Sequence, residues 1–436
     1  METGVAAFAL LLAGYALIAN RLDDLSIGPA LAFVVVGLVL GPAVLDVLPV
    51  GVGSTTVRHL AEVTLALVLF TDASTVHVAG LRRDTSLIGR LLVIGLLLTI
   101  AAGGLVATLI FPDLPLATAL LIGAILAPTD AALGLPVISN PAVPTRIRRI
   151  LNVESGLNDG IATPFVLLFI ALATAAGGAA GGHLEAAVVE IAIAIIVGST
   201  VGGLGGLLLA RADERDLTSE LSRQIAVLAL AVSGYFVSVA LGGNGFVAAF
   251  LAGLAFGTAT RHMEERAELF SEAAGILLSI GVWTIFGATL VGSLIHEIGD
   301  LRPILYAVLS LTVIRMVPVA IALAGSRLAL PTIGFIGWFG PRGLASIVFG
   351  ILAVDALAQA GVPAGPIAST VAWTVLLSVV AHGLTAGALA DRYGRWIARR
   401  QQASPVPLPE LEERSEPRPT TRSSWIRRRE PSSRAR

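Results

Sequence analysis

Residues 152–160, NVESGLNDG, set two carboxylates, an amide and a hydroxyl inside an otherwise apolar stretch. On a helix turning about 100° per residue, Ser155 and Asp159 lie about 40° apart on one face, and Glu154 and Asn158 form a second such pair. Glu154 and Asp159 then differ by about 140°, too far to serve one ligand. A charge near the bilayer centre costs at least about 2.5 to 3.5 kcal/mol on insertion scales, so each carboxylate needs its own accommodation. For Glu154 that is an intramembrane arginine, either Arg315 in LTVIRMVPVA or Arg342. A buried pair of this kind fixes helix positions more than it adds stability. Asp159, with Ser155 one turn away, is expected to face Asp130 and Thr129 across the bundle. Carboxylate, hydroxyl, amide and freed carbonyl oxygens suit a small hard cation such as Na⁺, held at Asp159, Ser155 and Thr129, rather than an organic substrate or a soft metal. Proton and Na⁺ would compete for the one buried carboxylate, and such competition is itself an exchange mechanism: the loaded site crosses, the empty charged one crosses poorly.

Two stretches have the character of interrupted helices able to position these groups. In LLIGAILAPTDAALGL, Pro128 removes a helical hydrogen bond and crowds the carbonyl of Ala124, leaving Thr129 and Asp130 beside an unwound point. In GFIGWFGPRGLASIVFG, Gly340, Pro341 and Gly343 bracket Arg342. Bare backbone is not tolerated in hydrocarbon, so such breaks line a cavity or lie buried in protein. They fall in the fifth and twelfth apolar stretches (114–136 and 331–357), as two inverted six-helix repeats joined by one extra helix require, and matched breaks point to a midplane transport site. Asp72, in ALVLFTDAS, is either a cation ligand or an interfacial cap. Glu62 and His382 have no obvious partner in sequence and read as packing or interface residues.

The whole chain has the matching composition. Of 436 residues, 55% are apolar and 14% charged, and the mean hydropathy is +0.86, against roughly a quarter charged in soluble domains. Apolar runs long enough to span a bilayer recur over 4–20, 26–45, 60–76, 87–111, 114–136, 150–174, 184–210, 222–241, 245–260, 269–295, 303–325, 331–357 and 366–390. The expected fold class is therefore an all-α polytopic membrane protein of thirteen helices. Residues 1–400 form the membrane transport domain, and 401–436, rich in Pro, Ser, Glu and Arg, form a disordered tail. The basic end around Trp425 and Arg427–Arg429 is suited to anionic lipid headgroups or to plain solvation.

The chain has no lysine, and its arginines alternate. Arg21, Arg82, Arg83, Arg90, Arg146, Arg148, Arg149, Arg211, Arg215, Arg223, Arg261, Arg266 and Arg327 fall on one side, and only Arg58 and Arg302 on the other. The positive-inside rule then sets the N-terminus outside and the tail in the cytoplasm of a multi-pass cell-membrane protein. Without cysteine, disulfides and thiolate metal sites are excluded, the six histidines show no zinc spacing, and no cofactor or nucleic acid is expected, only the transported ions and membrane lipid.

ESGLNDG, preceded by APTDA and followed by FGPRG, resembles the NhaP/NHE-type sodium/proton exchangers of the cation:proton antiporter superfamily, over residues 4–390. The resemblance implies an NhaA-like antiporter fold, with a dimerisation subdomain and a core subdomain that moves like an elevator, and a homodimer. It implies Asp159 as the essential carboxylate, Asn158 as the amide that accompanies electroneutral exchange, and Ser155 as a side-chain ligand. Thr129 would offer its main-chain carbonyl, Asp130 would stabilise facing helix ends, and Glu154 would hold the ion pair, with Arg315 ahead of Arg342. Where relatives often carry Glu in the third helix this chain has Asp72, one methylene shorter, which argues against direct contact with the ion. Na⁺ or Li⁺ against H⁺ is the leading expectation, with K⁺/H⁺ exchange as the alternative. A channel would show repeated filter motifs, a sensor a folded output domain, and an enzyme a nucleophile, base and orienting group together.

Overall fold

With no water to satisfy them, backbone N–H and C=O groups in a bilayer pair within the chain, and a helix does so within one segment. The computed structural model of the chain follows that rule, with no strand among its described residues, which are 2–24, 27–76, 84–175, 180–261, 263, 269–296 and 299–411. Arg82, Arg83 and Arg266, and residues 412–436 with Trp425 and Arg427–Arg429, lie outside the described residues.

The helices are α1 (Glu2–Asp24), α2 (Pro29–Leu40), α3 (Thr55–Ser74), α4 (Thr85–Ile110), α5 (Leu116–Ile125), α6 (Ala131–Ile138), α7 (Thr145–Thr174), α8 (Ala180–Asp213), α9 (Glu220–Ala240), α10 (Gly245–Ala259), α11 (Leu269–Phe286), α12 (Arg302–Leu311), α13 (Val313–Ala322), α14 (Leu330–Trp338), α15 (Leu344–Gln359) and α16 (Gly365–Gln402). Among the described residues, eight helical segments are long and apolar enough to cross a membrane, and four shorter apolar helices accompany them. The interruption expected in 114–136 separates α5 from α6, and that in 331–357 separates α14 from α15. A third, which the sequence reading did not anticipate, parts α12 from α13 at Thr312, whose hydroxyl turns back to the Val308 carbonyl at 2.6 Å. Threonine bonding back along its own helix competes with the backbone ladder and bends it.

The helices pack in two groups. One holds α2, α3, α8, α9, α10 and α11; the other holds α4 to α7 and α12 to α16; they meet along α7, α15 and α16. Since lipid is as apolar as leucine, close backbone approach supplies much of the packing energy. Gly253 of α10 shows this against α3: a Cβ there would lie 2.2 Å from the Phe70 carbonyl oxygen.

The tail departs from the expectation of disorder after residue 400. Helix α16 runs to Gln402 and the chain then folds back to a short 3-10 turn, Pro409–Leu411, in which Glu410 is fully buried. Glu410 Oε1 accepts the Ala329 amide at the N-terminus of α14 (2.9 Å), the Thr332 hydroxyl (3.0 Å) and the Arg400 guanidinium (3.3 Å). Arg146 donates to the Pro409 carbonyl. A segment polar by composition is thus ordered by one carboxylate capping a helix start and countered by an arginine. Glu410→Ala is expected to destabilise the fold by about 1–3 kcal/mol by stranding buried donors. Thermal unfolding in detergent measures this, and an unchanged midpoint would contradict the tie.

Candidate functional site

Pro128 has no N–H to continue α5, and the chain runs unwound from there until Asp130 caps α6. The second break, at 339–343, lies directly against the first. The Asp130 amide donates to the Pro341 carbonyl (2.8 Å), and the Ser346 hydroxyl donates to the Ile125 carbonyl (2.8 Å). Asp130 spends one carboxylate oxygen on the Leu133 amide (3.0 Å) and the other on the Leu344 amide (2.8 Å), so it caps α6 and α15 together. Arg342 donates to the Pro128 carbonyl (2.9 Å) and to that of Ala127. The positive starts of two half-helices share one carboxylate, and the negative end of a third meets one guanidinium. Gly343 is what allows the contact, since a Cβ there would fall 2.0 Å from an Asp130 oxygen.

Helix α7 passes this crossing with Glu154, Ser155, Asn158 and Asp159 all buried. On one face the Arg315 guanidinium of α13 reaches both Glu154 oxygens, at 2.7 and 2.8 Å, each side chain 2% exposed. Of the two arginines the sequence offered, this is Arg315; Arg342 is engaged by the broken backbone instead.

One turn on from Glu154, Asn158 Nδ2 donates to the Thr129 hydroxyl (2.6 Å), which lies 2.9 Å from the Ser155 hydroxyl, so the ion-pair face and the hydroxyl face meet at Asn158. Thr129 Oγ1 accepts from Asn158, and in the contact with Ser155 either hydroxyl can donate. Among the described residues no donor reaches Asn158 Oδ1 or Asp159 Oδ1, although both are buried. Unpaired buried oxygens are costly, and two of them next to hydroxyl oxygens form a donor set suited to a hard monovalent cation or, on the carboxylate, to a proton. Asp72, half-buried on α3, packs beside Gly156, where an added Cβ would stand 3.8 Å from Asp72 Cβ. Thus Asn158, Ser155 and Thr129 are brought together, Asp159 follows Asn158 on the same buried stretch of α7, Asp72 packs beside Gly156, and Asp130, Arg342 and the Glu154–Arg315 pair hold the surrounding helices.

Several residues escaped sequence reasoning. Ser346 and Ser378 carry no signal beyond being small and polar. Glu62 does have a partner, Arg58 at 2.9 Å, and their i, i+4 spacing was readable; Arg58 also reaches Asp355 at 3.4 Å.

Comparisons with known proteins agree with this architecture. Residues 7–392 match the family described as sodium/hydrogen exchanger, transmembrane. The chain is 26% identical over 378 residues to the K⁺/H⁺ antiporter NhaP of Alkalimonas amylolytica, covering 84% of this chain and 62% of that protein. It is 27% identical over 352 residues to Na⁺/H⁺ antiporter 2 of Zygosaccharomyces rouxii, covering 74% of this chain and 42% of that protein. The chain therefore spans less than two thirds of the length of both relatives. The solved structure of the sodium proton antiporter MjNhaP1 from Methanocaldococcus jannaschii superposes with a TM-score of 0.70 at 23% identity, covering 89% of this chain and 98% of that one. The likeness fixes the fold: an all-α polytopic membrane architecture of the antiporter type.

Proposed function

The chain belongs to the sodium/hydrogen exchanger family, and from that premise we propose that it is a secondary antiporter exchanging Na⁺, or Li⁺, for H⁺. The observation that carries the reading is the buried, unpartnered Asp159 carboxylate oxygen beside the unpartnered Asn158 amide oxygen, at a crossing of two broken helices. Asp159 holds either a cation or a proton. Loaded with either, the site has the same net charge, so one-for-one exchange moves no net charge across the membrane. Empty, it is a bare carboxylate that costs at least about 2.5–3.5 kcal/mol at mid-bilayer, which discourages an unproductive return. Thr129 and Ser155 complete the cation's oxygen shell, and Asp72 bears on it from α3 without direct contact.

The two groups of helices support an elevator: α4 to α7 with α12 to α16 would carry the site, and α2, α3 and α8 to α11 would form the stationary, dimerising part. The arginine alternation supports a cell-membrane protein with its N-terminus outside and its tail in the cytoplasm. K⁺/H⁺ exchange is the second reading, favoured by the name of the Alkalimonas relative.

The test is proton efflux from acid-loaded proteoliposomes on adding Na⁺, Li⁺ or K⁺, with membrane potential clamped and then free. Efflux driven by Na⁺ and indifferent to potential is the expected result, efflux driven by K⁺ alone selects the second reading, and silence with all three cations refutes both.

A further inference from the structure

Histidine 382 has no part in the exchange outlined above, yet it is 2% exposed and faces the second break. Helix α14 ends at Trp338, and a helix end leaves carbonyls without intrahelical partners. His382 Nε2 lies 2.8 Å from the Trp338 carbonyl oxygen, and in the Nε2–H tautomer it donates there. Trp338 is held from the same helix a second time, its indole Nε1–H donating to the Thr385 hydroxyl at 3.2 Å. His382 Nδ1 meets the carbonyl (2.8 Å) and hydroxyl (3.2 Å) of Ser378, one turn earlier on α16. That hydroxyl accepts the Arg342 backbone amide at 2.6 Å.

These bonds run continuously to the cation site. His382 and Ser378 hold the peptide at both sides of the break, Trp338 before it and Arg342 within it. Arg342 engages the carbonyls of Ala127 and Pro128, immediately before Thr129, and Thr129 bonds Asn158 and Ser155. An oxygen shell for a small cation tolerates displacements of only a few tenths of an ångström. Resting on the antiport reading, we propose that His382, as the Nε2–H tautomer, is a positioning residue for cation binding: it holds the Trp338 carbonyl before the second break as Ser378 holds the Arg342 amide within it, and Arg342 in turn fixes Thr129 and the Asn158 amide.

Asparagine and glutamine separate this role from mere filling of space, because their amide nitrogens stand in for Nδ1 and Nε2 respectively. The same Na⁺- and K⁺-driven proton efflux, read as KM and maximal rate per folded molecule, is measured for wild type, His382→Gln, His382→Asn, His382→Ala and Ser378→Ala. His382→Gln, which keeps a donor for the Trp338 carbonyl, is expected near wild type. His382→Asn, His382→Ala and Ser378→Ala are expected to raise KM about tenfold, the scale of one lost buried hydrogen bond, at little changed maximal rate. The proposal is overturned if His382→Asn and Ser378→Ala keep the wild-type KM, or if His382→Gln is as impaired as His382→Ala, which would assign the residue to ring packing. Wild type without cation-driven efflux overturns the antiport reading and this inference with it, so the two failures are told apart in one experiment.

Discussion

Asp159→Asn is expected to abolish cation-driven proton efflux and to leave a folded protein. The substitution keeps size and shape and replaces one carboxylate oxygen by an amide nitrogen that neither binds a proton near neutral pH nor attracts a cation. Attraction between unit charges about 4 Å apart at an effective dielectric near 20 is on the order of 4 kcal/mol, so binding falls by more than about a hundredfold. The proton half-reaction is lost with it, since Asp130 is committed to two helix-capping amides and Glu154 to Arg315. Stability should not fall, because the variant removes a buried charge with no donor on Oδ1. The measurement is efflux against Na⁺, Li⁺ and K⁺ together with the thermal midpoint in detergent. Normal exchange by Asp159→Asn would remove Asp159 from the site, whereas loss of exchange through unfolding would recast it as a structural residue.

The parts of this arrangement legible in the sequence are those set by short-range geometry. Two faces of α7, separated by the helical period, were readable from NVESGLNDG alone, and so were the breaks, because proline and paired glycines act on their own backbone. What was not legible depends on which distant segment arrives. Nothing in the spacing chose Arg315 over Arg342; the choice follows from Arg342 meeting backbone carbonyls freed by Pro128, 214 residues away. Likewise, nothing in the spacing showed which amides Asp130 would meet: one of the two is supplied by the other break. The 401–411 segment misled for a related reason. Composition averages over residues, and a single buried Glu410 with three donors outweighs a polar neighbourhood. Thr312 shows a smaller miss, a one-residue interruption in a run whose hydropathy is unbroken.

Glu154→Gln is expected to do the reverse of Asp159→Asn, lowering stability while sparing exchange in the molecules that fold. Glu154 accepts at both oxygens from Arg315, each residue 2% exposed, and removing one partner of such a pair typically costs about 3–5 kcal/mol because the other is left charged and buried. The two halves are not equivalent. A stranded glutamate can take up a proton and become neutral, but a stranded guanidinium cannot shed one. Glu154→Gln is therefore expected to lower the thermal midpoint more than Arg315→Gln does. The double variant should be more stable than the sum of the singles predicts, since it strands no charge. Midpoints for the four proteins of this cycle, with exchange per folded molecule measured alongside, decide the matter. Additive losses would mean that the contact carries no coupling, and loss of exchange in a folded Glu154→Gln protein would move Glu154 from the scaffold into the ion path. Two acids five residues apart on one helix would then have to share a role, which the roughly 140° between them argues against.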